Sequence, residues 1–211
     1  MTVTIICLIL LGFAVGAFGT LIGAGGGFIL VPALLILYPE QAPENITAIS
    51  LAVVFFNALS GTIAYGRQKR IDFRSGLIFS AATVPGSVLG AWLVHFTPRD
   101  VFDFIFGIIL VVLAVFLILK PNRVKDRNAE IPLGHVIRKI TDSDLVEHVY
   151  GYHLWSGIAI SLFVGLLAGF LGIGGGIIHV PALVSILGFP VHIATATSQF
   201  MLGIMSFSGS A

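Results

Sequence analysis

The chain has 211 residues, of which 57% are hydrophobic and 10% charged, with a formal net charge of +1 and a mean hydropathy of +1.05. Soluble domains carry about 25% charged residues, so this composition excludes a soluble globular protein and predicts an all-α membrane protein, a polytopic helical bundle in a lipid bilayer. The sequence has no basic patch with interleaved aromatic residues, so we expect no nucleic-acid partner.

Six apolar stretches are long enough to enter or cross a membrane. They are residues 3–37, 46–65, 76–96, 101–119, 154–187 and 193–211. One crossing of roughly 30 Å needs about 20 residues, and four of the stretches fit a single crossing. The first and fifth would reach roughly 50 Å as straight helices. We therefore expect these two to break or fold back, and each contains a glycine cluster.

The polar segments differ in charge. Residues 67–74 hold four bases and one acid, residues 120–153 hold six bases, and residues 38–45 hold two acids and no base. The positive-inside rule places the first two segments in the cytoplasm and the third outside. The sequence thus predicts a multi-pass protein of the cell (inner) membrane. The apolar spacing within residues 131–150 predicts an interfacial helix on the cytoplasmic surface.

The glycine cluster occurs twice in the chain. GAGGGFILVPALLIL begins at Gly23, and GIGGGIIHVPALVSIL begins at Gly172, an offset of 149 residues. After a one-residue slip the match continues, so that Thr47 and Ser50 align with Thr195 and Ser198. We therefore predict two homologous transmembrane halves, 1–119 and 154–211, joined by a cytoplasmic loop at 120–153. The second half is expected to be incomplete by about two spans, since the first runs on for that length.

Two relations between the halves remain open. If each glycine-rich segment is re-entrant, each half crosses the membrane three times, so that the halves are inverted and the N-terminus lies outside. If each segment crosses once, the halves are parallel and the N-terminus lies inside. We favour the inverted arrangement because secondary transporters often use it.

The glycines have three possible uses. A dinucleotide-binding loop is rejected because the flanks have membrane length, and because Thr195 stands near the place where the first copy has the acid Glu44. Close helix packing is the second use. We assign it to the scattered glycines Gly12, Gly16, Gly86, Gly90, Gly165 and Gly169.

The third use is an anion site. Consecutive glycines can unwind a helix and free backbone N–H groups, and the helix that resumes points its positive dipole end at the break. Two such ends could meet near the midplane and bind an anion without a buried Lys or Arg. The candidate residues are Gly23, Gly25, Gly26, Gly27, Gly172, Gly174, Gly175 and Gly176, with Pro32 and Pro181 expected early in the resumed helices, where a missing N–H costs little.

Polar side chains near the glycine segments are further substrate-binding candidates. Ser50 and Ser198 are duplicated in register, whereas Asn57 and Gln199 have no polar counterpart. Hydroxyls and amides can donate to an oxyanion, although Ser and Thr more commonly bond to their own helix. His179 is the ionisable residue of the second segment. It could bind an anion or carry a proton, or it could be a satisfied buried His. We expect no metal and no cofactor.

The paired GxGGGxxxVP segments in two similar halves resemble the TauE/SafE sulfite exporter family of bacterial membrane transporters. The resemblance covers the whole chain, although the second half stops early. It implies export or uptake of small anionic compounds such as sulfite or sulfonates, driven by an ion or proton gradient. The substrate, the direction of transport and the oligomeric state, including a homo-oligomer, stay open.

Two other function classes compete with a transporter. A membrane-embedded enzyme would need a cluster of His, Asp, Glu or Cys at membrane depth, and His179 alone is a candidate, so we expect no enzyme activity. A non-transporting assembly subunit would use its glycines for helix packing alone. Flux of a small anion through the reconstituted protein separates both from a transporter.

Overall fold

The computed structural model describes residues 2–119 and 135–210, which form eight helices and one two-stranded hairpin. The elements are α1 (Thr2–Ile22), α2 (Gly27–Leu37), α3 (Pro43–Arg67), α4 (Phe73–His95), α5 (Arg99–Leu119), β1 (Val136–Thr141), β2 (Glu147–Tyr152), α6 (Leu154–Leu171), α7 (Gly176–Ser185) and α8 (Val191–Ser210).

Among the described residues, three helices are long and apolar enough to cross a membrane, namely α3, α4 and α6. The helices α2 and α7 are shorter apolar segments. Each of them follows a short break, so the first and fifth apolar stretches are interrupted, as their length predicts. The prediction of a mainly helical membrane protein is therefore confirmed.

The surface helix predicted within residues 131–150 is wrong. Residues 131–134 lie outside the described part of the chain, and the rest forms the antiparallel pair β1–β2, in which Val136 faces Tyr152 and Thr141 faces Glu147. Alternating burial along β1 is the pattern of a half-buried strand. Tyr150 and Tyr152, two residues apart, are both buried. The fold is thus not purely α-helical.

The hairpin packs on the loop between α3 and α4, which defines one end of the bundle, here called the hairpin side. Arg138 pairs with Asp72 at 2.6 Å, and Arg70 pairs with Asp144 at 2.7 Å. The backbone N–H of Ser143 donates to the Gln68 carbonyl at 3.0 Å. Loop 67–74 and the described part of segment 120–153 therefore lie at the same end, as the charge pattern requires.

The opposite end, here called the cleft side, holds the start of α3 and the turn between α4 and α5. His95 pairs with Glu44 across these elements. Arg99 donates to the carbonyls of Gln41 at 2.6 Å and Leu35 at 2.9 Å. These bonds satisfy carbonyls at the end of α2 and in the following loop, which would otherwise lack donors.

Glycines allow α4 and α6 to approach closely. Gly86 and Gly90 on α4 face Gly165 and Gly169 on α6, both pairs with four-residue spacing. A Cβ atom added to Gly86 would lie 2.3 Å from the Leu162 carbonyl oxygen, and one added to Gly165 would lie 2.4 Å from the Thr83 carbonyl oxygen. The packing role that the sequence assigned to these four glycines is confirmed. A Cβ atom on Gly12 would meet nothing within 4 Å.

This interface yields a matched prediction. Gly86→Ala should lower the free energy of unfolding by about 1–3 kcal/mol, because the added methyl overlaps the backbone of α6. Gly107→Ala on α5 is the control, since its Cβ would meet nothing within 4 Å. Unfolding of both variants in detergent, followed by circular dichroism, checks the difference. Equal stability of the two variants would contradict the close α4–α6 contact.

Candidate functional site

The two glycine breaks have the same backbone path. In the first, Gly23, Gly25 and Gly26 have φ angles of 78°, 72° and 87°. The aligned Gly172, Gly174 and Gly175 have φ angles of 69°, 78° and 73°. L side chains rarely adopt these left-handed angles, so glycine is required at all six positions. Helices α2 and α7 then begin at Gly27 and Gly176.

Free backbone N–H groups stand at the start of both helices. At the first break, the N–H groups of Gly23, Ala24 and Gly25 bond back to carbonyls of α1, so these three are not available to a ligand. The next three, of Gly26, Gly27 and Phe28, have no hydrogen-bond partner within residues 2–119 and 135–210. At the second break the N–H of Gly172 bonds back to the Ala168 carbonyl, and the five N–H groups that follow, in residues 173–177, have no partner within the same ranges.

The two breaks meet through reciprocal contacts. Ser50 Oγ donates to the Gly172 carbonyl at 2.7 Å, and Ser198 Oγ donates to the Gly23 carbonyl at 3.0 Å. Each serine thus satisfies a carbonyl of the break in the other half. The hydroxyl hydrogens are already used in these bonds, so the serines hold the breaks together rather than pointing free donors at a ligand.

Each resumed helix starts against the backbone of the opposite break. A Cβ atom added to Gly27 would lie 2.7 Å from the Ile173 carbonyl oxygen. One added to Gly176 would lie 2.2 Å from the Gly23 carbonyl oxygen. Since no side chain fits at either point, both glycines are needed for contact as well as for the helix start.

Two apolar side chains fill the junction between the breaks. Val54 Cγ1 lies 2.8 Å from the position of a Cβ on Gly25 and 2.6 Å from that of a Cβ on Gly174. Leu202 approaches both of these positions at 3.4 Å. Val54 and Leu202 are fully buried, so the junction is packed shut. Sequence reasoning missed this pair, although the 148-residue offset that relates Ser50 to Ser198 also relates Val54 to Leu202.

The comparison with known proteins identifies the chain. The family model described as Sulfite exporter TauE/SafE matches residues 8–211. The chain belongs to the TauE/SafE family. It is 36% identical over 211 residues to the probable membrane transporter protein YunE of Bacillus subtilis, covering 97% of this chain and 76% of the relative. The predicted family resemblance is confirmed.

More distant TauE/SafE relatives cover a similar part of the chain. A probable membrane transporter protein of Methanocaldococcus jannaschii is 28% identical over 208 residues, which are 96% of this chain and 69% of the relative. The probable membrane transporter protein YfcA of Escherichia coli K12 is 26% identical over 188 residues, which are 89% and 62%. No solved structure matches the chain. These similarities support a membrane transporter.

Asn57 and Gln199 lie near the first break of this TauE/SafE member. Asn57 Nδ2 donates to the carbonyls of Gly16 at 2.9 Å and Gly25 at 3.2 Å, and its Oδ1 accepts from the Thr20 hydroxyl. Asn57 therefore ties α3 to α1 and to the break. Gln199 is fully buried, and its Oε1 has no hydrogen-bond partner among the described residues. Its Nε2 lies 3.5 Å from the Gly19 carbonyl oxygen.

His179 is buried in the second glycine segment. Its side chain is 1% exposed, and its Nε2 lies 3.3 Å from Ser161 Oγ, which favours a satisfied buried histidine.

The predicted place of Pro32 and Pro181, early in the resumed helices, is wrong. Both are the sixth residue of their helix, beyond the first turn. Each therefore removes an intrahelical donor and leaves the carbonyl four residues earlier without it.

A cleft of about 380 Å³ opens on the cleft side and leads towards the second break. Its walls come from α3, α4 and α8 and include Thr47, Trp92, His95 and Ser208. Thr47 also packs on the second break, because a Cβ atom on Gly172 would lie 2.7 Å from Thr47 Cα. Thr47 thus lines the cleft and also touches the second break. Among the described residues, no group of three or more His, Cys, Asp or Glu gathers to hold a metal ion.

The reciprocal serine contacts give a testable prediction. Ser50→Ala and Ser198→Ala should each lower the free energy of unfolding by about 1–3 kcal/mol, because each leaves a buried carbonyl without its donor. Ser156→Ala is the matched control, since Ser156 is exposed and the side-chain hydrogen bond it makes within the described residues is to the exposed His153. Unfolding curves in detergent measure the three changes. A change at Ser156 as large as at Ser50 would contradict the proposed clamp.

Proposed function

We propose that this chain moves a small oxyanion, such as sulfite or an organic sulfonate, across the membrane. The substrate would bind where α2 and α7 begin. The observation that carries this proposal is the set of eight backbone N–H groups at the breaks, which have no partner in the described chain although all of their residues except Phe28 and Ile177 are buried. Buried N–H groups are nearly always paired, so these have the character of donors awaiting a ligand.

The charge at the junction supports an anionic substrate. A helix N-terminus carries roughly half a positive charge, and two of them meet here. Sulfite and sulfonate oxygens accept hydrogen bonds from backbone N–H groups without needing Lys or Arg. Gln199, buried nearby, adds an amide that could turn its NH2 group towards such a ligand. The glycines of the two breaks and Gln199 form the candidate binding set.

The direction of the helices supports two inverted halves, 1–119 and 154–211. Helix α3 begins at the cleft side, where Glu44 meets His95, and ends at the loop under the hairpin. Helix α8 begins under the hairpin, where Thr197 meets Asp72, and ends beside the cleft. Aligned segments thus run in opposite directions, which is how inverted repeats build alternating access. We infer that each glycine segment is re-entrant.

Transport would require the junction to open. Val54 and Leu202 close it from both halves, so the present arrangement is one in which an anion has no room between the breaks. A rocking movement that separates α3 from α8 would move Val54 and Leu202 away from each other and open the space between the breaks. We propose that a proton or ion gradient drives this cycle.

The membrane orientation belongs to the same proposal. Loop 67–74 and segment 120–153 would face the cytoplasm of a cell with an inner membrane, because they carry most of the basic residues. The hairpin side would then be cytoplasmic, and the cleft would open to the outside.

Flux measurements in liposomes test the transport proposal. The purified full-length protein should move labelled sulfite or a labelled sulfonate, and the rate should depend on an imposed pH gradient. Gly26→Ala and Gly175→Ala should each lower the rate by about tenfold or more, because an L side chain at φ angles of 87° and 73° costs roughly 1–3 kcal/mol and would shift the N–H groups that follow. Gly107→Ala should transport normally. A folded protein without flux for any small anion would favour the assembly-subunit function.

A further inference from the structure

We propose that the β1–β2 hairpin is a latch that closes the hairpin side of the transport pathway, with the Arg138–Asp72 pair as its catch. The inference rests on the proposed transport function, because it assigns an open and a closed state to one end of that pathway. It starts from a difference between the two ends of the molecule: a cleft opens on one, and a docked hairpin covers the other.

The catch is a buried ion pair with several additional donors. The Asp72 side chain is completely buried, and Arg138 binds it through two bonds, Nη2 to Oδ1 at 2.6 Å and Nε to Oδ2 at 3.0 Å. The Tyr150 hydroxyl donates to Oδ2 at 2.7 Å, and Ser75 donates through its N–H at 3.1 Å and its hydroxyl at 2.5 Å. Arg138 and Tyr150 belong to the hairpin, whereas Asp72 and Ser75 belong to the helix bundle.

The carboxyl group of Asp72 is held in its charged form. Burial raises its pKa, but the hydrogen bonds from Arg138, Ser75 and Tyr150 outweigh this and hold the pKa below its usual value. A buried carboxylate that loses its arginine is strongly disfavoured. The docked hairpin is therefore coupled to the position of Asp72, and Asp72 in turn caps the N-terminus of α4.

The catch connects directly to the first glycine break. The backbone N–H of Asp72 donates to Thr197 Oγ1 at 3.0 Å. The next residue of α8 is Ser198, whose hydroxyl binds the Gly23 carbonyl. Beside this point, Phe73 of α4 packs against Phe200 of α8, with ring centroids 5.2 Å apart. A movement of Asp72 thus acts on the helix that closes the junction.

The hairpin also covers the end of α7. Tyr150 and Tyr152 stack with Phe189 in the loop after α7, at centroid distances of 4.4 Å and 5.3 Å. Phe79 of α4 completes the cluster and packs against Tyr152. Ala194, near the start of α8, is fully buried in the same cluster. Undocking of the hairpin would therefore expose α4, α7 and α8 at one end together.

Among the described residues, Arg70 makes the other ionic contacts between the bundle and the hairpin, and both are weaker. Asp144 is 65% exposed, so solvent screens its pair with Arg70. The contact with the buried Asp142 is long, at 3.6 Å from Nε to Oδ2. The Arg138–Asp72 pair is consequently the contact whose loss should release the hairpin.

Cysteine labelling tests the latch without any substrate. In a Cys7→Ser background, Ala194→Cys reports on the hairpin side and Ala91→Cys reports on the wall of the cleft. Arg138→Gln should raise labelling of Ala194→Cys by a membrane-impermeant maleimide about tenfold or more, because a buried pair that loses one partner is strongly destabilised. Labelling of Ala91→Cys should stay level or fall, since the two ends open in alternation.

Matched variants keep the test specific. Lys139→Gln is the control, because Lys139 is the next residue of β1 and its ion pair within the described residues is with the exposed Glu147. It should change neither probe. Asp72→Asn should act like Arg138→Gln, and Arg138→Lys should have an intermediate effect. Unchanged labelling of Ala194→Cys in Arg138→Gln would overturn the latch. An equal rise at both probes would also overturn it, since it would mean that the pair merely maintains the fold.

The labelling result is separate from the flux result. If Arg138→Gln exposes Ala194→Cys while liposomes show no anion flux, the hairpin movement stands and the transport proposal fails. If flux is normal while the labelling pattern is unchanged by Arg138→Gln, the transport proposal stands and the latch fails.

Discussion

The structure depends on one constraint: an unwound backbone inside a membrane must find partners within the protein. Each glycine break exposes carbonyls and N–H groups that its own helix no longer satisfies. The carbonyls of Gly23 and Gly172 find a serine hydroxyl on the opposite half. The N–H groups at the starts of α2 and α7 find none among the residues that the structure describes. We propose that this imbalance between satisfied acceptors and unsatisfied donors gives the junction a preference for an anion.

The same constraint explains why the junction is small and rigid in its present state. Backbone meets backbone at Gly27 and Gly176, where even one methyl group does not fit. Val54 and Leu202 then exclude water from the remaining space. A site built in this way gains specificity from fixed dipoles rather than from mobile charged side chains, and it needs the movement of whole helices to admit a ligand. In the proposed cycle, the end that the hairpin covers controls that movement.

The sequence predicted the breaks because glycine and proline have strong local effects, and because both occur twice at one offset. It also predicted the packing glycines of α4 and α6. It could not predict the pairing of Ser50 with Gly172, since no local pattern shows which carbonyl lies opposite a hydroxyl. The hairpin was missed because the apolar residues around Val136 and Ile140 fit a helical period as well as a strand. The alternation of Tyr150 and Tyr152 was the signal for β-structure. The prolines were predicted near the helix start, but α2 and α7 begin at Gly27 and Gly176, so that each proline is the sixth residue of its helix.

The serine clamps join residues that are far apart in the chain. Ser50 and Gly172 are separated by 122 positions, and Gly23 and Ser198 by 175. During synthesis the first half leaves the ribosome and enters the membrane long before its partners exist. Until α8 is present, the Gly23 carbonyl lacks the hydroxyl that satisfies it in the complete structure. Assembly of the junction can therefore begin only once α8 has been made, because each half supplies the serine that the other half's break needs.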